Sequence, residues 1–190
     1  MLDSILLRIA KSSILSRLDE NYSFDESSVT DRYPFLKDEG ACFVTLKARG
    51  DLRGCIGSVV AHRRLYDDII ANSASAAFKD PRFESLSIDE LSYLTLEVSV
   101  LSEPTIIEYK DFDDLCSKVK PNIDGLILEH DIYKGTFLPQ VWEQLQTPKL
   151  FLEHLSLKAG SFLSIYEEHP TIYRYSVDAL EGNFDEVLQL

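Results

Sequence analysis

Cysteine is scarce in this 190-residue chain: Cys42, Cys55 and Cys116 are odd in number and widely spaced. No CxxC occurs, and the four histidines, His62, His130, His154 and His169, lie far apart. A structural zinc site announces itself through closely spaced ligand pairs, so no metal site is expected. Scattered single thiols fit reduced cysteines in a reducing compartment. No apolar run approaches the roughly 20 residues needed to cross a bilayer, and the opening segment is too polar and too evenly charged for a secretory leader. The chain is therefore expected to be cytoplasmic and free of the membrane. Positive charge is also short, with 19 Lys and Arg against 32 Asp and Glu and a formal net charge of −13. The one compact basic cluster is His62-Arg63-Arg64, with Arg53 shortly before it. That suits a single anion and is a poor footprint for a duplex, which argues against nucleic acid as the partner. Internal repeats and low-complexity tracts are lacking too.

What is present is an ordinary globular composition, 45% apolar and 27% charged, on a length that suits one domain spanning residues 1–190. Apolar residues at Leu2, Ile5, Leu6, Ile9, Ile14, Leu15 and Leu18 repeat near a helical period with one phase slip, which predicts a packed N-terminal helix. Asn21 to Leu36 is polar, contains Pro34, and reads as a connecting loop. Phe43 to Leu46 is β-rich, Gly50-Asp51 is a reversal, and Leu52 to Val60 reads as the returning strand of a hairpin. Arg64 to Phe78 reads as a helix packing through Leu65, Ile69, Ala76 and Ala77, ended by the approach to Pro81. Leu94, Leu96, Val98 and Val100 alternate with polar residues, a half-buried strand. A short helix over 112–119, a hairpin from Gly125 to Leu138, a helix opened by Thr147-Pro148 and stopped by Gly160, and a strand over Thr171 to Val177 complete the pattern. Recurrent hairpins without βαβ alternation define an α+β class with antiparallel sheet.

The segment Asp51-Leu-Arg-Gly-Cys-Ile-Gly57 sets Cys55 between two glycines. On a regular strand Arg53, Cys55 and Gly57 share one face, while Leu52, Gly54 and Ile56 share the other and carry the apolar anchors. A guanidinium beside a thiol favours the thiolate, the form that attacks electrophiles. Gly54 and Gly57 allow a backbone or a substrate to come close. The competing reading is structural, because a free cysteine behaves as a small hydrophobe and is often buried. A cysteine nucleophile also wants a histidine base, and His62 lies seven positions on, about 23 Å along an extended chain. His130 and His154 have plain surface explanations, so no triad is legible. A second candidate, Asp80-Pro81-Arg82-Phe83, reads first as a structural corner in which Phe83 plugs the core and Asp80 pairs with a cation. The acidic pairs Asp67-Asp68 and Asp113-Asp114 are expected to be solvated.

With these residues assembled, the chain resembles the AMMECR family, called AmmeMemoRadiSam system protein A in prokaryotes. The carrying residues are Leu52-Arg53-Gly54-Cys55-Ile56-Gly57, then Asp80-Pro81-Arg82-Phe83, the strand "LEVSVLSEP", and "DGLIL", "FLPQVWEQ" and "FLEHLSLKAG" in order. The chain departs from the family at Ser156, where a cysteine is expected in many prokaryotic relatives, and it lacks a Trp-Asp before that helix. The resemblance implies an α+β fold of two unequal subdomains around a cleft, the larger containing both termini and the smaller inserted from the middle of the chain. It also implies functional association with a Memo-like protein and a radical S-adenosylmethionine protein; the family has no established reaction, and the sequence leaves the cofactor unknown.

Two functions follow as expectations. In the first, the cleft handles a substrate, with Cys55 and Arg53 as the catalytic pair and Leu52, Gly54, Ile56, Gly57, Asp80 and Arg82 binding. In the second, the chain is a non-catalytic protein- or peptide-binding module in which Cys55 is structural.

Overall fold

The computed structural model describes residues 3–190, so Leu2, the first apolar position of the expected N-terminal helix, lies outside the described residues. The elements are α1 (Ile5–Leu18), α2 (Glu26–Arg32), β1 (Ala41–Ala48), β2 (Asp51–Gly57), α3 (Leu65–Phe78), β3 (Leu94–Leu101), β4 (Thr105–Ile106), α4 (Phe112–Lys118), β5 (Gly125–His130), β6 (Tyr133–Phe137), α5 (Pro148–Lys158), β7 (Thr171–Tyr175) and β8 (Val177–Asn183). The strands form two four-stranded antiparallel sheets, ordered β2-β1-β3-β8 and β4-β7-β5-β6. With the helices this is the α+β class that the hairpin pattern implies. The chain separates into two compact units, Met1–Leu101 with Asp178–Leu190, and Ser102–Val177.

In the first unit α1 and α3 share a core with one face of the sheet, built on Cys42, Val44 and Leu46 of β1 and Leu94, Leu96 and Val98 of β3. The phase slip in α1 has a physical cause. Lys11, Ser12 and Ser13 are buried along with the apolar stripe. Their polar atoms are satisfied by Lys11 Nζ donating to the carbonyls of Phe184 and Val187, and by Ser13 Oγ donating to that of Ile70. Burial therefore extends around most of the helix, and a single apolar stripe does not describe it.

The β1–β2 hairpin turns on Arg49 and Gly50, with φ of 54° and 93°. Two successive left-handed residues match the right-handed twist of the flanking strands. Arg49 is held there by an N–H bond to the Tyr93 carbonyl at 3.1 Å, with its guanidinium 4.4 Å from the Tyr93 ring centroid. Asn21 to Leu36 is not a plain loop. It carries α2, capped by Asp25 through Ser27 N–H, and a 3-10 turn at Pro34–Lys37. Only Val29 and Thr30 of α2 are buried, too few to leave an apolar period in the sequence.

The second unit packs α4 and α5 on its sheet. Trp142 stacks on Phe151 of α5 at 3.9 Å and 14°, and its Nε1 donates to the Asp124 carbonyl. Thr147 caps α5 by accepting from Leu150 N–H, and Gly160, at φ 86°, closes the helix's far end. Ser156 is fully buried there and donates to the Glu153 carbonyl. The strand β8, which completes the first sheet after β7 has ended the second, has no counterpart in the sequence reading. Its alternation is broken by Gly182 and by exposed acids.

Candidate site at the Cys55 strand

The strand β2 is an edge strand, and its register sets the site. Ala48 pairs with Asp51 and Lys47 with Leu52, but Leu46 pairs with Gly54 and Thr45 with Cys55. Arg53 is thus the extra residue of a β-bulge, a device that re-aims side chains. Beyond the bulge, alternation runs as expected. Gly54 and Ile56 oppose the buried Leu46 and Val44, while Cys55 and Gly57 oppose Thr45 and Phe43 on the other face. Leu52 departs from the expectation. Opposite Lys47, and 44% exposed, it anchors nothing in the core, because the bulge moves it to the Thr45 side.

The two glycines have separate causes. A Cβ on Gly54 would run into the Ala76 carbonyl oxygen of α3, so this glycine admits another backbone of the same chain. A Cβ on Gly57 would enter the Phe43 ring and lie 2.7 Å from the Cys42 carbonyl oxygen. Both are therefore needed for packing, one on each face of the strand.

Cys55 is half-buried, and Thr45 Oγ1 donates to its sulfur at 3.4 Å. Its backbone N–H donates to Asp80 Oδ2 at 2.9 Å, and Arg82 Nη2 reaches its carbonyl at 3.4 Å. Asp80 and Arg82 therefore occupy hydrogen-bonding groups that an edge strand would otherwise leave open. Asp80, buried just beyond α3, also accepts from Arg82 N, Nε and Nη2. The Arg82 bonds, and then the Cys55 N–H, hold its carboxyl far below the usual carboxylate range. The Arg82 guanidinium, 53% exposed, is in turn pushed above its ordinary value by Asp80.

Arg53 has different partners. Its Nε donates to Glu90 Oε1 at 2.7 Å and its Nη2 to the Glu84 carbonyl at 2.8 Å. Among the described residues it is Arg82, and not Arg53, that hydrogen-bonds to Cys55. Arg53 instead fastens the segment from Glu84 to Glu90 to the bulge, and the bond from its guanidinium holds the Glu90 carboxyl low. Phe83 is not a core plug. Its half-exposed ring lies under both guanidiniums, 5.8 Å from that of Arg53 and 5.4 Å from that of Arg82. Leu86, 3% exposed, fills the core in its place and bonds to the Ala77 carbonyl.

None of the four histidines hydrogen-bonds to Cys55. His62 sits with the Val60 carbonyl, His130 with Glu168 and His154 with the Leu150 carbonyl, while His169 stacks on Tyr109. The basic cluster is engaged internally, Arg63 with Asp68 and Arg64 with Asp67 and Glu26.

A second buried carboxylate was not expected. Asp68 is fully buried, and it accepts from Cys42 N–H at 2.8 Å, Ser58 Oγ at 2.7 Å, Arg63 Nε at 2.7 Å and Asn72 Nδ2 at 2.9 Å. The expectation of a solvated Asp67-Asp68 pair holds only for the half-exposed Asp67. The available signal was spacing, since positions 65, 68, 69, 72 and 76 fall on one helical stripe. Asp114 likewise is largely committed, to Lys118 and to Lys110 N–H.

The structure is an α+β fold in which the glycine-flanked Cys55 lies on a bulged edge strand. The AMMECR1 family pattern matches residues 7–180. The chain is 34% identical over 171 residues to Protein MJ0810 of Methanocaldococcus jannaschii, covering 85% of this chain and 83% of that one. It is 39% identical over 162 residues to a protein of Sulfolobus acidocaldarius, covering 82% and 70%. The crystal structure of uncharacterized protein PH0010 from Pyrococcus horikoshii superposes with a TM-score of 0.78 at 31% identity, over 94% of this chain and 90% of that one. The chain belongs to the AMMECR1 family. No helix among the described residues is long and apolar enough to cross a membrane.

Proposed function

We propose that this AMMECR1 chain handles a substrate at the Cys55 face of β2, with the thiol as the group presented to it. The observation that supports this most is the half-buried Cys55 on the face opposite the core, held by a backbone that Asp80 and Arg82 fix. In this reading Cys55 is the thiol of a thiol-dependent reaction, and Arg82 carries the exposed positive charge beside it. Arg53 acts at one remove, through the Glu84–Glu90 segment. Leu52, Gly54, Ile56 and Gly57 shape the strand. The family's prokaryotic name supports association with a Memo-like and a radical S-adenosylmethionine protein.

The test is a footprint. Alkylation of Cys55 in the native protein is timed with and without the small-molecule fraction of the source cells. The expected result is slowed labelling that recovers on dialysis. Identical rates, together with full cellular function of Cys55→Ala, would overturn the reading. One observation favours the non-catalytic module as a second reading: the hydrogen bond to the sulfur comes from a threonine hydroxyl and not from a base. That module predicts that Cys55→Ser retains full cellular function.

A further inference from the structure

The second unit holds a cavity of about 460 Å³, lined by Lys110, Asp111, Phe112, Leu163, Ser164, Tyr166, Glu167 and His169. Its volume falls in the range of small-molecule sites, which combine apolar walls with a few polar groups. The Phe112 and Tyr166 rings sit 5.0 Å apart at 45°. The Tyr166 hydroxyl is turned inward onto the Leu152 carbonyl at 2.8 Å, so it is already satisfied within the protein. Leu163, 42% exposed, adds an aliphatic surface.

The polar groups are unequally committed. Asp111 is used as the cap of α4, accepting from Asp114 N–H at 2.8 Å. The Lys110 ammonium takes part in no ion pair among the described residues, although the unit is rich in acids. The His169 imidazole is held by stacking on Tyr109 at 5.6 Å, while the Tyr109 hydroxyl ties down the neighbouring Pro170 carbonyl. The His169 backbone is left-handed, at φ 52°, where it caps the 3-10 turn Leu163–Glu168. Glu167 is the remaining carboxylate of the lining, and it is exposed.

We propose that this cavity binds a small aromatic carboxylate, its ring against Phe112, Tyr166 and Leu163 and its anion read by Lys110 and His169. The site is separate from Cys55 in the chain and does not depend on the reading given to that residue. The probe is phenylacetate, titrated into the isotope-labelled full chain and followed by amide NMR shifts. Phenethylamine, with the same ring and the opposite charge, is the control. Saturable shifts confined to 109–112 and 163–169 are expected, with binding at least tenfold weaker in Lys110→Glu. Lys110 is exposed, so that variant keeps its fold, as unchanged signals from the other unit would show. Absence of saturation, phenethylamine binding as tightly as phenylacetate, or unchanged affinity in Lys110→Glu would each overturn the proposal.

Discussion

Two regions of the first unit solve the same local problem and end differently. At Cys42 the backbone N–H donates to Asp68, which is also held by Arg63; at Cys55 the N–H donates to Asp80, which is also held by Arg82. Each places an aspartate from α3, or from the turn just past it, on a cysteine N–H and neutralises it with an arginine. The Cys42 version lies inside the core, where burial and then the Asp68 carboxylate push the thiol far above its ordinary value. The Cys55 version lies on the edge strand, where the residue is only half-buried. With nearly the same aspartate–arginine support, the two cysteines differ in how deeply they are buried.

The comparison can be broken most severely at Asp68. Replacing it with alanine strands the donors of Cys42, Ser58, Arg63 and Asn72, and breaking a buried ion pair of this kind costs about 3–5 kcal/mol. A large fall in the urea midpoint of Asp68→Ala is the expected outcome, and a fall worth under about 1 kcal/mol would show that water or rearrangement replaces those bonds.

Gly54→Ala ranks next. Its methyl meets the Ala76 carbonyl, and overpacking of this kind costs about 1–3 kcal/mol. Denaturation of Gly54→Ala beside Gly57→Ala compares a clash with backbone alone against one shared between the Phe43 ring and the Cys42 carbonyl. The alanine at 54 is expected to be the worse, because the Ala76 carbonyl is fixed in a helix, whereas the nearest atoms at 57 belong to a side chain that can turn.

Asp80→Asn sharpens the comparison through pH. The folded carboxyl is held below its unfolded value of about 3.9, so the unfolded chain binds the proton more tightly. The stabilisation from Asp80 is thus complete above about pH 4 and is lost as pH falls below that value. Stability measured between about pH 5 and pH 2 should fall less steeply in Asp80→Asn than in the wild type. Equal slopes would mean that Arg82 does not hold the carboxyl in solution. The smallest effect is expected from Cys55→Ser, below about 1 kcal/mol for a half-exposed position with one weak bond.

Much of this was legible beforehand. The class followed from recurrent hairpins, the α5 boundaries from Thr147, Pro148 and Gly160, and the separation of Cys55 from Gly54 and Ile56 from strand alternation. The bulge was not legible. With Ala48 opposite Asp51, an unbroken register would set Thr45 against Gly54, and only the extra residue at Arg53 brings Thr45 to Cys55. Local propensity carries no signal for such a shift, because it is settled by Arg53 reaching Glu90 and the Glu84 carbonyl, more than thirty positions away. The burial of Asp68 was hidden for a related reason: its partners come from β1, the segment after β2, and α3. By contrast, the link from Asp80 to Cys55 joins the two motifs that carried the family resemblance.

The most direct test of the account is the order in which the thiols react. In a Cys116→Ser background, iodoacetamide labelling of the native protein is followed residue by residue with mass spectrometry. Cys55 should be modified in the folded state at a rate independent of urea well below the unfolding transition, and Cys42 only as the chain unfolds. Cys55 and Cys42 becoming reactive together, at the unfolding transition, would contradict the claim that the strand presents its cysteine to the outside.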